Sequence, residues 1–450
     1  MSIIKKIFEH KKNKKSILFT TPSHSQGDFI VPNAKKILGE QYFKSDYSEI
    51  DGFDNLRNPT GIIKSVQEKI TKIYETQNSF LLINGATSGI LASVLAILNE
   101  QDKVLIARNC HISVYNALVL SGAKPIWVMP EYNSEWGIFE EIRPETIEEK
   151  ISCEQNIKAL IITSPTYEGV FSDIKSISAI CKKHGILLIV DEAHGALLNF
   201  SQLKFKSALN SGVDICIHSL HKTAGAPNQC ALLHIGKQST VKGKDIQDAL
   251  NLINTTSPSY PLLSAIEATV EYLASATGQK NIKNLYKNIE NFHKKLSPNI
   301  YVYAANNDST KLLLKINGID PYTVAEALNN DYQIEEEYTN SKSLLFLTGL
   351  GTEKKKLNRL CNALNKITES LSTNTKIQES YEYKLAQTLL TPKEAKSKNK
   401  KTIKKDYAIG KISGEIIIKY PPGIPILLPG EIITSEIINL LEKDEITIID

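Results

Sequence analysis

Residues 186–195 read ILLIVDEAHG. Five consecutive branched apolar residues are too few for a buried helix and suit a strand covered on both faces, and the run ends on Asp191. An ionised carboxylate at the end of such a strand costs several kcal/mol unless something compensates it, so a positive partner should face Asp191. The same grammar recurs on both sides, in FLLI (80–83), KVLIA (103–107), KPIWVM (124–129), KALIIT (158–163), DICIH (214–218) and ALLHI (231–235). Apolar runs alternating with segments of helical period predict a three-layer α/β domain built on a parallel sheet. In such sheets ligands sit beyond the carboxyl ends of the strands, which makes the residues after each run the ones to read.

After FLLI comes NGATSG, where Gly85, Ala86, Thr87 and Ser88 lead toward a helix at Ile90. Small residues there admit an anion such as phosphate to backbone N–H groups, although a plain tight turn with Thr87 or Ser88 as N-cap reads the same way. After KVLIA, His111 stands near the start of the next helix, as a cap or as a functional group. After DICIH comes SLHKT, with Ser219, His221 and Lys222. Desolvation at an apolar strand end disfavours the ammonium form and makes Lys222 a usable nucleophile, while the bland alternative is an Asp191–Lys222 ion pair. One ligand accounts for all of these together. Pyridoxal 5'-phosphate takes a lysine for its aldehyde, a carboxylate for its ring nitrogen, an anion turn for its phosphate and a flat group over its ring. Lys222, Asp191, NGATSG and His111 provide one each.

The rest of the chain sets bounds. With 450 residues, 42% hydrophobic and 23% charged, it has the profile of ordinary globular domains, two or three in number, and a net charge of +4 gives no reason to expect nucleic acid. Six cysteines without a CxxC pair argue against a zinc site or a disulfide framework, so no metal is expected and a reducing cytoplasm is the simple reading. The N-terminal apolar runs are too short for a signal peptide, and no stretch approaches a membrane span. Beyond residue 240 a long helical stretch (260–296) precedes strands near 311–316 and 344–347 and helices near 322–328 and 353–371, a smaller α/β domain. KEAKSKNKKTIKK (393–405), with seven lysines, reads as a solvated loop. The prolines and glycines of 420–430 enforce a non-helical path.

The pattern resembles the pyridoxal-phosphate-dependent ornithine/lysine/arginine decarboxylases of aspartate-aminotransferase type, fold type I, over nearly the whole chain. The matching motifs are TPSHSQG (21–27), DYSEIDGFDNLRNPTG (46–61), NGATSG, RNCHISV, SPTYEGVFSDI (164–174), DEAHG, SLHKT, TTSPSYPLL (255–263) and YPPGIPILLPGE (420–431). The last is characteristic of the shorter bacterial arginine or lysine enzymes. The resemblance implies an N-terminal segment (1–60), a cofactor-binding large domain (61–300) and a C-terminal domain (301–450). It further implies that Lys222 bonds to the cofactor aldehyde, Asp191 holds the pyridine nitrogen and His111 stacks on the ring. Ser219 and His221 would contact the phosphate, His221 would also protonate the substrate carbon, and His194 would lie beside the cofactor. It implies a homodimer, or a dimer-based larger assembly, in which the segment around Ser257 completes the neighbour's site.

The implied reaction removes CO2 from arginine, then lysine, then ornithine in order of preference, as in polyamine biosynthesis. Transamination, elimination or a non-enzymatic regulatory role are the alternatives. A single arginine, Arg359, in the C-terminal half leaves little with which to clamp an α-carboxylate, as transaminases do. For the substrate's distal cation, Glu415, Glu431, Asp46 and Glu49 are the carboxylate candidates. The chain departs from its relatives in reading PSHS (22–25) for PGHK, in Ile112 for lysine, and in lacking an asparagine in the helix after NGATSG.

Overall fold

The structure is a computed structural model that describes residues 2–12, 18–201, 206–370, 385–419, 424–441 and 443–450. All seven expected strands are present: β1 (Asn78–Leu82), β2 (Lys103–Ala107), β3 (Lys124–Val128), β4 (Ile157–Thr163), β5 (Leu187–Asp191), β6 (Ile215–Ser219) and β7 (Ala231–Ile235). They form one sheet in the order β1-β7-β6-β5-β4-β2-β3. The expectation of a parallel sheet needs one correction, since β7 runs antiparallel to both β6 and β1, with Ser219 opposite Ala231. The physical reason lies in the connection. A parallel return needs a crossover, usually a full helix, whereas residues 220–230 hold only the short helix Leu220–Thr223 and fold straight back.

Helices cover both faces. On one side α2 (Gly85–Ile97), α3 (Ile112–Ser121) and α5 (Gly243–Ile253) pack on Ile106, Ile161, Ile189, Ile217 and Leu233. The other side takes α4 (Ile174–Lys183), together with α1 (Ile62–Tyr74) and α6 (Tyr260–Ala274) toward the β1 edge. In α1, Ile62, Val66, Ile70 and Tyr74 recur every fourth residue and are buried, each aliphatic contributing ~1.5–3 kcal/mol. The long helical stretch divides at Ser275, whose side chain caps α7 (Ala276–His293) by accepting from the Gly278 N–H at 3.1 Å.

A second, antiparallel sheet, ordered β8-β9-β11-β10, joins β8 (Ile300–Val302), β9 (Lys311–Ile316), β10 (Tyr338–Thr339) and β11 (Leu344–Leu347). Helices Pro321–Tyr332 and Lys354–Ser370 lie where periodicity puts them. The lysine-rich stretch is not a loop. It is a short helix, Pro392–Ser397, opened by a Thr391/Glu394 capping box, followed by β12 (Lys400–Lys404). Only Ile403 turns inward along β12 and its lysines stay in solvent, so a strand with one apolar residue passes for a loop. β12 pairs with β15 (Glu445–Ile449), and β13 (Ile417–Lys419) pairs antiparallel with β14 (Ile424–Leu427). Of the proline- and glycine-rich stretch expected to be non-helical, residues 420–423 lie outside the described residues. Among the described residues no helix is long and apolar enough to cross a membrane.

Candidate active site

A cavity of about 340 Å³ opens beyond the carboxyl ends of β1, β2, β4, β5 and β6. It is lined by Gly85, Ala86, Thr87, His111, Asp191, His194, Ser219, His221 and Lys222, which the sequence had singled out. Two further positions do not join them. Ser88 is buried and turns back inside the first turn of α2 to donate to the Gly85 carbonyl at 2.8 Å. Ser257 is exposed and away from the cavity of its own chain.

Helix α2 starts at Gly85, five residues before the expected start at Ile90, and neither Thr87 nor Ser88 is its N-cap. That place belongs to Asn84, whose side chain makes no capping bond. The N–H groups of the first turn therefore have no side-chain acceptor and carry the positive end of the helix dipole. Gly85 has φ +71°, and a Cβ there would meet nothing within 4 Å, so the space above the turn is open. These features fit an anion.

Asp191 ends β5 and is 4% exposed, its Oδ1 accepting from the Ala193 N–H at 3.1 Å. Its neighbour Glu192 points to the opposite face and is anchored there. Glu192 accepts from His218 Nε2 at 2.6 Å, Ser207 Oγ at 2.5 Å and the Ala208 N–H at 2.8 Å, which fixes the backbone that carries Asp191. Glu192, Cys216 and His218 bring metal-type donor atoms together, but one Glu192 oxygen already receives His218 and Ser207 at hydrogen-bond distance.

The Asp191–Lys222 ion pair is not formed. Lys222 Nζ instead meets His194 Nε2 at 2.8 Å. Burial lowers the Lys222 pKa, with the Asp191 and Glu337 charges opposing and Lys311 reinforcing. Burial also takes His194 well below the ordinary histidine value, helped by Lys222 and Lys311, so its ring is neutral and accepts from the lysine. His221 Nδ1 donates to the Cys230 carbonyl at 3.4 Å, and burial lowers its pKa as well. His111 is the helix cap that the sequence allowed, and it faces the cavity. Its Nδ1 caps α3 by accepting from the Ser113 N–H at 3.2 Å, and the residue also lines the cavity.

The sequence reading passed over several lining residues. Thr163 ends β4 and Asn109 follows β2, so the carboxyl-end rule would have found both. Thr163 Oγ1, Asn109 Oδ1 and His194 Nδ1 are buried without a hydrogen-bond partner, three polar atoms on cavity residues that a polar ligand would satisfy. Tyr167 and Glu168, from the quoted SPTYEGV motif, also line the cavity. Lys311 lies behind His194, fully buried, donating to Asp308 Oδ2 and Thr310 Oγ1 at 3.0 Å and to the His194 carbonyl at 3.1 Å. The lysine and aspartate at neighbouring strand ends, the uncapped helix turn and the unpartnered polar atoms together fit pyridoxal phosphate.

None of the four carboxylates proposed for the distal cation lines this cavity. Glu431 is committed to Arg108, with oxygens 2.7 and 2.8 Å from its two terminal nitrogens, and the pair is almost fully buried. Glu415 is held by Lys443 and the Thr447 N–H, Asp46 by His24 and Glu49 by Asn55.

Comparison with known proteins places the chain as a whole. The chain is 30% identical over 448 residues to an arginine decarboxylase of Bacillus subtilis, covering 96% of this chain and 91% of that protein. It is 23% identical to the constitutive lysine decarboxylase of Escherichia coli, across 97% of this chain and 76% of the other. The solved lysine decarboxylase of Francisella novicida superposes with a TM-score of 0.85 at 22% identity, covering 99% of this chain and 81% of that one. The architecture is thus fold type I. The family descriptions "Orn/Lys/Arg decarboxylase, major domain" and "Orn/Lys/Arg decarboxylase, C-terminal domain" match residues 2–314 and 374–445, and on that coverage the chain belongs to the Orn/Lys/Arg decarboxylase family.

Proposed function

We propose that the protein is a pyridoxal-phosphate-dependent decarboxylase of basic amino acids, arginine first, then lysine and ornithine, releasing the amine and CO2. The observation that carries this reading is the Lys222–His194 contact beside Asp191, in a cavity whose wall holds an uncapped helix N-terminus. When bound, pyridoxal phosphate supplies an electron sink for the pair released as the bond from Cα to the carboxylate breaks. Lys222, its pKa lowered by burial, would hold the aldehyde, with His194 orienting its amine. Asp191 would keep the ring nitrogen protonated through its charge. The first turn of α2 and Ser219 would hold the phosphate, and His111 would cover the ring. His221 keeps its Nδ1–H on Cys230, so Nε2 must take up a proton before it can deliver one to Cα.

The residue ranges 1–60, 61–300 and 301–450 serve in this reading as N-terminal segment, cofactor domain and C-terminal domain. Two copies, acting in the cytoplasm, complete each other's sites through the exposed segment around Ser257. Arginine comes first because the arginine decarboxylase from Bacillus subtilis matches over nearly its whole length. Incubating the purified protein with pyridoxal phosphate and each of the three amino acids, then identifying the amines, tests the reading. Agmatine as the main product supports it, cadaverine alone reverses the substrate order, and no amine from any of the three overturns it.

A further inference from the structure

Two reciprocal tyrosine–carboxylate bonds tie the 164–172 loop to β10 and the residue before it. Tyr338 donates to Glu168 Oε1 at 2.9 Å, and Tyr167 donates to Glu337. Burial separates the two pairs. Tyr338 faces inward and is buried, as is Glu168, whose second oxygen accepts from Thr166 at 3.0 Å. Burial raises the Glu168 pKa, which favours its neutral form. Glu337 faces outward and is exposed. Its partner Tyr167 lines the cavity with its ring edge-on to His194 at 4.8 Å, so the outer pair is joined to the cavity through Tyr167, beside the histidine that holds Lys222.

A basic amino acid reacting at Lys222 must send its distal cation toward a carboxylate that is ionised and has a free oxygen. Within this chain Glu168 is saturated and buried, and Asp191 is reserved for the ring nitrogen. Glu415 and Glu431 have both oxygens occupied. Asp46 and Glu49 are bonded on the N-terminal segment, outside the cavity. Glu337 does not itself line the cavity, but its one side-chain donor, Tyr167, does, and the carboxylate is open to solvent just before β10. Its charge also reaches Lys222.

We propose that Glu337, oriented by Tyr167, receives the distal guanidinium or ammonium group of the substrate and so sets the preference for basic amino acids. The inference rests on the decarboxylase reading above. A guanidinium can take both carboxylate oxygens at once, and the Tyr167 hydroxyl holds Glu337 in place for it. Tyr167 acts here as a positioning residue.

The test is steady-state kinetics of the full-length, pyridoxal-phosphate-loaded protein and of Glu337→Gln and Tyr167→Phe, with arginine and lysine as substrates. Glu337→Gln should raise KM about ten- to a hundred-fold while kcat changes by no more than about threefold, the signature of lost binding to a non-reacting group. Tyr167→Phe should raise KM by a smaller factor. Cofactor absorbance should stay the same in both, since neither side chain is assigned to the cofactor. An unchanged KM, or a fall in kcat at constant KM, overturns the assignment of Glu337 and leaves the decarboxylase reading standing. A wild-type protein that releases no amine from either substrate overturns the parent reading and this inference with it.

Discussion

Lys222 Nζ and His194 Nε2 lie 2.8 Å apart, and this contact replaces the Asp191–Lys222 ion pair that the sequence allowed. A neutral, buried imidazole accepts from the lysine without adding a charge that would hold the ammonium form. Asp191 is thereby left free to face a different cation. In the proposed reading the lysine serves as nucleophile and the aspartate as ring partner, and neither is engaged with the other beforehand.

The pH dependence of cofactor capture follows from this arrangement. A lowered pKa brings the neutral amine form of Lys222 to lower pH, so the rate of reaction with added pyridoxal phosphate should rise with pH through a midpoint below about 10.4, the ordinary lysine value. Stopped-flow absorbance across a pH series measures it. A midpoint at or above the ordinary value would show that burial does not tune this lysine.

Asp191→Asn keeps a hydrogen-bonding side chain but removes the charge that stabilises a protonated ring nitrogen. Cofactor binding should persist, while decarboxylation falls at least tens-fold if the charge supplies about 2 kcal/mol in the transition state. Single-turnover rates read this directly, and a near wild-type rate would place the electron sink's support elsewhere.

His111 caps α3 and lines the cavity, so two substitutions separate its roles. Asparagine is a good N-cap and should preserve stability while weakening cofactor affinity, because the ring face is gone. Alanine should weaken cofactor affinity and also lower stability by about 1 kcal/mol in denaturant unfolding. Equal cofactor affinity in wild type and His111→Asn would reduce the histidine to a cap.

Glu431→Gln should act on stability. Removing one partner of a buried pair leaves the Arg108 guanidinium uncompensated and costs about 3–5 kcal/mol. Chemical denaturation checks this. A loss below about 1 kcal/mol accompanied by a large rise in KM would return Glu431 to the list of substrate ligands.

How far the sequence could be read depended on the range of the interaction. Seven apolar runs gave seven strands, and the residues at their ends gave Asp191, Lys222 and the Gly85 turn, because each signal is contained within a few neighbouring positions. The direction of β7 was not legible, since an apolar run carries no direction and only the short connection after Ser219 sets it. β12 was missed because Ile403 is its one inward apolar residue. Interactions that join distant segments left no local trace. Glu431 reads as a free carboxylate until Arg108, far away in the chain, is found against it. Lys311, Tyr167 and Glu337 came into view only when the second sheet and the residue before β10 were seen to bond to the cavity-lining residues His194 and Tyr167.

Borohydride reduction of the purified, pyridoxal-phosphate-loaded protein, followed by peptide mass mapping, tests the central claim most directly. The account predicts that the cofactor becomes fixed to Lys222 and that Lys222→Ala loses both the fixed mass and the visible absorbance. Attachment at another lysine, or an absorbing and reducible adduct that survives in Lys222→Ala, would contradict it.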